Sequence, residues 1–236
     1  MTAADPARKL AQLLKKLKPK ADGEPEAARP APSPPEWADP LVDELIFSFL
    51  SWDAGLAPAR NAIRKLHEAV VDYNELRVFL PDELAQHIGA RYPRAAERAQ
   101  RLRASLADLY KREHAVTLRH LADAPKRDAR LYLESLEGMP HYVAARVTLI
   151  GLGGHALPVD ERILDTLVAE SITDENSTPE AASAWLERHV RAADALSTYL
   201  LLQALADEGR PRREPRPAAP KKPSAARKKQ NAKSPE

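Results

Sequence analysis

Proline restricts the fold of this chain more than any other residue, because it fixes φ, lacks an N–H donor and interrupts helices. Of the 21 prolines, 14 lie at or before Pro40 or at or after Pro211. The segment 24–40, EPEAARPAPSPPEWADP, is therefore predicted to be an extended linker. The segment 210–236 is nearly free of large apolar residues and is predicted to be disordered. The part that can bury a core lies between them.

The other seven prolines separate segments rich in alanine, leucine and arginine, in which apolar residues recur at helical spacing. Proline suits the first turn of a helix, so several of the seven are expected to mark helix starts. These features predict an all-α core with short connections. The predicted helices are 41–52, 57–73, 81–90, 93–114, 117–123, 127–136, 140–153, 160–172, 178–189 and 191–206.

The pattern divides the 236 residues into three parts. We expect a basic N-terminal arm and proline-rich linker over 1–39, a helical domain over 40–208 and a disordered basic tail over 209–236. Within the arm, the leucines of segment 7–20 fall at helical spacing with lysines on the opposite face. This segment is predicted either to remain frayed or to become helical on contact with an acidic partner, because it is short for an isolated helix.

The charge distribution separates the ends from the middle of the chain. Residues 1–20 carry a formal charge of +5 and residues 210–236 carry +8, which leaves −11 on residues 21–209. The ends are therefore the expected partners of phosphates. The chain has no cysteine, which excludes disulfides, thiolate zinc sites and cysteine-ligated iron–sulfur clusters. Without a membrane-length apolar run or a secretion signal, a cytoplasmic protein is expected.

Residues 136–147, LEGMPHYVAARV, lie between two predicted helices. Gly138 can take the positive φ that a tight turn requires. Such a turn directs backbone N–H groups and the start of the second helix toward one point, which suits a phosphate. An ordinary αα-hairpin explains the same pattern, and this segment alone does not separate the two interpretations.

The following segment, 149–164, reads LIGLGGHALPVDERIL and places Asp160 at the start of a helix. An aspartate is favoured at that position as an N-cap, for purely local reasons. Taken together, residues 136–164 resemble the helix–hairpin–helix DNA glycosylases typified by endonuclease III. Their pattern L-P-G-V-G-x-K-T-A is followed, after an apolar helix, by V-D-T-H-V. The matching residues are Leu136, Gly138, Ala144, Val159 and Asp160, and the family's lysine position falls on Tyr142.

Two upstream segments, 45–66 and 88–102, resemble the family's L-L-S-x-Q and G-L-Y-N-x-K-A elements. The resemblance implies a two-lobed all-α fold and duplex DNA as the partner. It also implies that Asp160 acts as the catalytic carboxylate that stabilises an oxocarbenium-like sugar, while Tyr142 lines the base pocket. Further implied DNA contacts are the Gly138 hairpin, the Met139 and His141 backbone, and Asp53 at the family's glutamine position.

The departures from the family pattern restrict the chemistry. Tyr142 cannot form the Schiff base that the family's lysine forms, so base removal without strand cleavage is the implied activity. Pro140 replaces the second hairpin glycine and has no N–H to offer a phosphate. The alternative is a catalytically degenerate relative that acts as a DNA- or protein-binding module. The histidines show no paired ligand spacing, so no metal site and no cofactor are predicted. The sequence leaves the oligomeric state open.

Overall fold

The computed structural model describes residues 4–17, 35, 38–89 and 91–209, and the regular elements within these ranges are helical. The all-α prediction is confirmed for this part of the chain. A 3₁₀ turn at Arg119–Leu121 and a π-helical turn at Val147–Gly151 accompany the α-helices. The α-helices are α1 (Ala4–Leu17), α2 (Pro40–Ser51), α3 (Leu56–Ala69), α4 (Tyr73–Val78), α5 (Pro81–Ile88), α6 (Ala95–Glu113), α7 (Lys126–Glu134), α8 (His141–Arg146), α9 (Glu161–Ala169), α10 (Pro179–His189) and α11 (Ala192–Asp207).

The helices pack in two groups. In the first group, α2 packs on α3 and α6, and α5 packs on α3 and α6. In the second group, α9 packs on α10 and α11, and α1 packs on α11. The α8 helix and the π turn that follows it contact members of both groups, including α2 and α10. The two groups are the two lobes of the fold, and α8 with the π turn lies where the lobes meet.

Two predicted helices, 57–73 and 117–123, are shorter in the structure. The helix predicted at 57–73 ends at Ala69, and α4 begins a few residues later. The side chain of Asp72 caps α4 by accepting the N–H of Glu75 at 2.9 Å. The helix predicted at 117–123 is reduced to a 3₁₀ turn at Arg119–Leu121, and the N–H of Leu118 before it donates to the buried carboxylate of Asp39 at 2.9 Å.

The N-terminal leucines pack into the core of the domain itself. Leu10, Leu13 and Leu17 on α1 are 4%, 6% and 8% exposed. Their helix packs on α11, so the first segment of the chain belongs to the helical domain and not to a separate arm. A helix of this length is marginal alone, and tertiary burial of its apolar face stabilises it. Lys15 and Lys16 remain exposed on the opposite face.

Most of the predicted linker, 24–40, and of the predicted basic tail, 209–236, lies outside the described residues, and at the described end of the linker Asp39 caps α2 and Pro40 begins it. Within the described ranges, no helix combines the length and apolar character that crossing a membrane requires.

Packing of α1 on the domain can be tested by shortening one buried leucine. Leu13→Ala removes apolar surface from the core and is expected to lower the free energy of unfolding by about 2–3 kcal/mol. The neighbouring exposed residue supplies the control, Gln12→Ala, which is expected to change it by less than about 0.5 kcal/mol. Urea denaturation followed by circular dichroism measures both. Equal stability of the two variants would show that α1 contributes nothing to the folded domain.

Candidate functional site

A buried arginine holds the turn that follows α2. The side chain of Arg98, on α6, is fully buried and donates to the carbonyl oxygens of Phe49, Trp52 and Pro93. The last carbonyls of a helix lack intrahelical donors, and a guanidinium can satisfy several of them at once. Arg98 therefore fixes the C-terminal end of α2 and the direction in which the next residue, Asp53, leaves it.

Asp160 is the N-cap of α9, as its sequence position predicts. Its Oδ1 accepts the N–H of Ile163 at 2.9 Å. Its Oδ2 accepts a second backbone N–H, that of Asp53, at 3.0 Å. The residue is 1% exposed. Both carboxylate oxygens are thus engaged by backbone donors, one in each lobe.

Asp53 returns the contact. Its backbone lies in the left-handed region, with φ of 53°, a conformation in which aspartate is enriched. Its Oδ1 accepts the N–H of Glu161 at 3.0 Å, and its Oδ2 lies 3.3 Å from Nε of Arg94. Only 3% of Asp53 is exposed. Asp53 and Asp160, called the aspartate pair below, therefore form two reciprocal hydrogen bonds that join the turn after α2 to the start of α9.

The aspartate pair brings two carboxylates together away from water. Burial raises the pKa of Asp160 to about 7, and the nearby charge of Asp53 contributes to the rise. The N–H groups of Ile163 and Asp53 and the charge of Arg162 act in the opposite direction. Asp160 therefore changes its protonation near neutral pH, whereas an exposed aspartate is fully ionised there.

Tyr142 lies in the same interior, 2% exposed. Its hydroxyl is 3.3 Å from the hydroxyl of Ser51 and 3.1 Å from that of Tyr199. Burial raises the pKa of Tyr142 well above 10, and the neighbouring Tyr199 and Asp160 add to the shift. The phenol is neutral at physiological pH, so it can donate or accept a hydrogen bond but cannot serve as an anionic base.

An ion pair between Arg146 and Glu44 lies next to the hydroxyls of Tyr142 and Tyr199. Nε of Arg146 donates to the hydroxyl of Tyr199 at 3.0 Å, and Nη1 donates to Ser48 at 3.1 Å and to the carboxylate of Glu44. Burial opposes the charged form of Arg146, but Glu44 and the neighbouring phenols outweigh it and the pKa of Arg146 is raised. Burial also raises the pKa of Glu44 against the pull of Arg146. The result is a continuous polar cluster between α2, α8 and α11.

The hairpin, residues 136–140, packs against α6. Gly138 has φ of 75°, and a Cβ added there would lie 3.0 Å from the carbonyl oxygen of Arg101. The hydroxyl of Ser105 donates to the carbonyl of Glu137 at 2.8 Å, and the N–H of Glu137 donates to Asp108 at 3.0 Å. Glycine is required at 138 both for the backbone conformation and for this close approach.

One of the predicted phosphate donors of the hairpin is already bonded within the protein, and one hairpin position has no donor. The N–H of Met139 donates to the carbonyl of Leu136 at 3.2 Å, and Pro140 has no N–H. The half-buried ring of His141 is 3.1 Å from the hydroxyl of Ser183 on α10. The contacts of Met139 and His141 therefore hold the hairpin to its own chain, and a role for either residue in DNA binding stays a prediction.

Three further aromatic residues, Trp52, Tyr73 and Tyr92, are packed in the fold. Trp52 and Tyr73 are buried, and the hydroxyl of Tyr73 donates to the carbonyl of Asp39 at 3.2 Å. The hydroxyl of Tyr92 donates to the carbonyl of Leu50 at 2.8 Å. Among the described residues, no group of three or more histidine, aspartate or glutamate side chains is placed to hold a metal ion.

Two buried arginines, Arg98 and Arg146, were not singled out from the sequence. Arg98 lies four residues before Leu102 and therefore shares the apolar face of its helix. Arg146 likewise sits among the apolar residues of its own segment. Both arginines could have been identified from the sequence, because each lies on the apolar face of a predicted helix. A charged side chain at such a position is buried only when hydrogen-bond or ion-pair partners surround it.

The chain matches no family model and no curated protein, whereas solved structures share its fold. One is a trapped endonuclease III–DNA covalent intermediate, with a TM-score of 0.62 and 15% identity over 86% of this chain and 85% of that chain. Another is a thermostable thymine-DNA glycosylase, with a TM-score of 0.56 and 18% identity over 87% and 88%. A third is the Clostridium acetobutylicum 8-oxoguanine glycosylase/lyase in complex with double-stranded DNA, with a TM-score of 0.61 and 14% identity over 88% and 71%.

These similarities confirm the predicted fold of helix–hairpin–helix DNA glycosylases. The chain is an all-α, two-lobed structure of that kind. At identities of 14–18%, the similarity establishes the fold alone.

The raised pKa of Asp160 predicts how stability depends on pH. The folded state binds this proton more tightly than the unfolded chain does, so the stabilisation is complete below about pH 4 and is lost as pH rises through about 7. Asp160→Asn should reduce the fall in unfolding free energy between pH 5 and pH 8. Part of this decrease in unfolding free energy should remain in the variant, because burial also raises the pKa of Glu44 and Glu161. Urea titrations at several pH values measure the slope.

Asp72→Asn is the matched control for the dependence of unfolding free energy on pH. Asp72 is also a helix N-cap, but hydrogen bonding from the Glu75 N–H lowers its pKa. Its contribution therefore changes only at more acidic pH, and the variant should keep the wild-type slope between pH 5 and pH 8. Identical slopes for Asp160→Asn and wild type would contradict a raised pKa at Asp160.

Proposed function

We propose that this chain binds duplex DNA through a helix–hairpin–helix glycosylase fold and does not excise bases. The observation that carries the proposal is the engagement of Asp160, whose carboxylate is 1% exposed and accepts backbone N–H groups from both lobes. Base excision needs a carboxylate close to the sugar of an extruded nucleotide. A buried carboxylate that holds two lobes together cannot make that contact without breaking the link.

The surroundings of Asp160 support the same proposal. A flipped base needs an open pocket, and Tyr142 and Tyr199 are both almost fully buried, with hydroxyls 3.1 Å apart. The polar groups that could read a base edge are bonded to one another. The family's glutamine position is occupied by Asp53, whose side chain points to the Glu161 N–H and to Arg94.

DNA is proposed as the partner because similar structures are DNA complexes and because the ends of the chain are basic. The similar structures include endonuclease III bound to DNA covalently and non-covalently. The +8 charge of residues 210–236 provides sequence-independent attraction to phosphates, which residues 21–209, with a charge of −11, do not. In this proposal the fold positions the duplex and the basic ends add affinity.

A lesion panel tests the absence of excision. The protein is incubated with duplexes that contain uracil, mismatched thymine or an oxidised purine, and alkali then cleaves any abasic site. We expect binding in a gel-shift assay and no alkali-dependent cleavage above a no-protein control. Cleavage that depends on the protein would overturn the non-excising proposal, whichever base is removed.

A monofunctional DNA glycosylase is the second candidate function. It is favoured by the placement of Asp160 and Tyr142 in one interior, close enough for the charge of Asp160 to act on the pKa of Tyr142. In this alternative, DNA binding opens the aspartate pair, Asp160 faces the sugar and Tyr142 borders the pocket. Catalytic hydrogen bonds often form only in the substrate complex, so the closed geometry is compatible with it.

The monofunctional-glycosylase alternative can be tested on the same lesion duplexes. If a base is excised, Asp160→Asn should reduce the single-turnover rate by at least about a hundredfold, the scale associated with a positioned catalytic group, while leaving DNA affinity within about twofold. Asp72→Asn, at the capped start of α4, should leave the rate unchanged. Excision that survives Asp160→Asn would exclude Asp160 as the catalytic carboxylate.

The basic end of the chain is expected to contribute to affinity through counterion release. Deletion of 210–236 removes ten Lys and Arg residues and should make the dependence of log affinity on log salt concentration less steep. Fluorescence anisotropy with a short duplex at several salt concentrations measures the slope. Replacing only the two acidic residues of this segment, Glu214→Gln and Glu236→Gln, should not flatten it. An unchanged slope after deletion would assign the phosphate contacts to the helical domain.

A further inference from the structure

We propose that the arginine face, formed around Trp52 by Arg94 at the N-cap of α6 and Arg101 on α6, is the surface of the helical domain that contacts the DNA backbone. This inference rests on the DNA-binding function proposed above. It assigns the phosphate contacts to side chains at the start of α6, whereas the resemblance to the glycosylases assigns them to the hairpin.

The arginine face is built around one indole ring. The guanidinium carbon of Arg94 lies 4.9 Å from the centre of the Trp52 ring, and that of Arg101 lies 5.4 Å from it. The two arginine side chains are 36% and 39% exposed, whereas Trp52 is almost buried. Stacking on an aromatic ring holds a guanidinium in place and leaves its edge free for hydrogen bonds, so less side-chain entropy is lost when it binds an anion.

The arginine face lies between two elements that the sequence indicated as DNA contacts. At one end, Nε of Arg94 is 3.3 Å from Asp53 in the turn after α2. At the other end, the backbone of Arg101 is in close contact with Gly138 of the hairpin. Arg94 is the N-cap of α6, and Arg101 lies seven residues later on the helix. A DNA strand that runs from the turn after α2 to the hairpin therefore passes both guanidinium groups.

The hairpin is a poorer phosphate site than the arginine face. The N–H groups of Glu137 and Met139 already donate within the protein, to Asp108 and to Leu136, and Pro140 has none. Glu137 also adds an exposed negative charge. A charged side chain forms stronger hydrogen bonds to phosphate than neutral backbone groups do. The charged side chains at the start of α6 are therefore better phosphate ligands than these hairpin groups.

The acidic neighbours of the arginine face do not prevent phosphate binding. Glu97 lies 3.7 Å from Arg94 and 3.1 Å from Arg101, and its side chain is 42% exposed. Exposed ion pairs of this kind contribute little free energy, so a phosphate can replace Glu97 easily. Asp53 approaches Arg94 at Nε, and the guanidinium has further N–H donors.

The test uses the full-length chain and a duplex of about two helical turns in fluorescence anisotropy at several salt concentrations. Arg94→Gln combined with Arg101→Gln should weaken binding and reduce the slope of log affinity against log salt by about two, since each phosphate contact contributes about 0.9. Arg64→Gln combined with Arg188→Gln removes the same charge from exposed positions on α3 and α10 and should leave the slope near that of wild type. Arg94→Lys combined with Arg101→Lys should also keep the slope.

The outcomes separate this inference from the function on which it rests. If the wild-type chain does not bind the duplex, the proposed function fails. If it binds and the two glutamine double variants have equal slopes, DNA binding stands and the arginine face is excluded. Circular dichroism reports folding of each variant. Should the Arg94 and Arg101 double variant not fold, Arg101→Gln alone, which removes an ion pair with exposed Glu97, is expected to reduce the slope by about one. An unchanged slope there overturns the inference.

Discussion

The reciprocal hydrogen bonds of Asp53 and Asp160 are the constraint on which the arrangement of the two lobes depends. The carboxylate of Asp160 accepts the N–H of Asp53, and the carboxylate of Asp53 accepts the N–H of Glu161. The first N–H groups of α9 have no acceptors within the helix. The N–H of Asp53, the residue with left-handed backbone in the turn after α2, also needs an acceptor. The pair satisfies both requirements with two side chains.

The polar interior between the lobes depends on the contact that the aspartate pair makes. Once the two lobes meet at the aspartate pair, the phenol of Tyr142 lies inside the protein and must find hydrogen-bond partners there. Ser51 and Tyr199 supply them, and Arg146 connects the chain of hydroxyls to Glu44. A buried network of this kind stabilises one geometry because each missing contact leaves a buried polar group unpaired. The same region in an excising enzyme would have to stay accessible to a base.

The sequence predicted the local features of this fold better than its long-range contacts. Helical periodicity and proline positions predicted most of the helices, and the N-cap role of Asp160 follows from its place before an apolar helical segment. The partner of Asp160 lies 107 residues earlier, and no local pattern connects the two. Burial of Leu13 was missed for the same reason, since a lone amphipathic helix does not indicate which surface of the domain it will cover.

The resemblance identified the fold, but side-chain contacts decide how much of its chemistry remains. A motif records which residue type occupies a position and not which atoms are already bonded. Asp160 matches the glycosylase pattern, yet the N–H groups of Ile163 and Asp53 engage its two oxygens. Gly138 also matches, yet the neighbouring donors of the hairpin are bonded within the protein. A site whose acceptors and donors are satisfied internally must break those bonds before it can act, and the free energy of breaking them opposes any reaction there. The guanidinium groups of Arg94 and Arg101 need only release exposed ion pairs with Glu97, which contribute little free energy, and this is the physical reason for proposing the DNA contact at the start of α6.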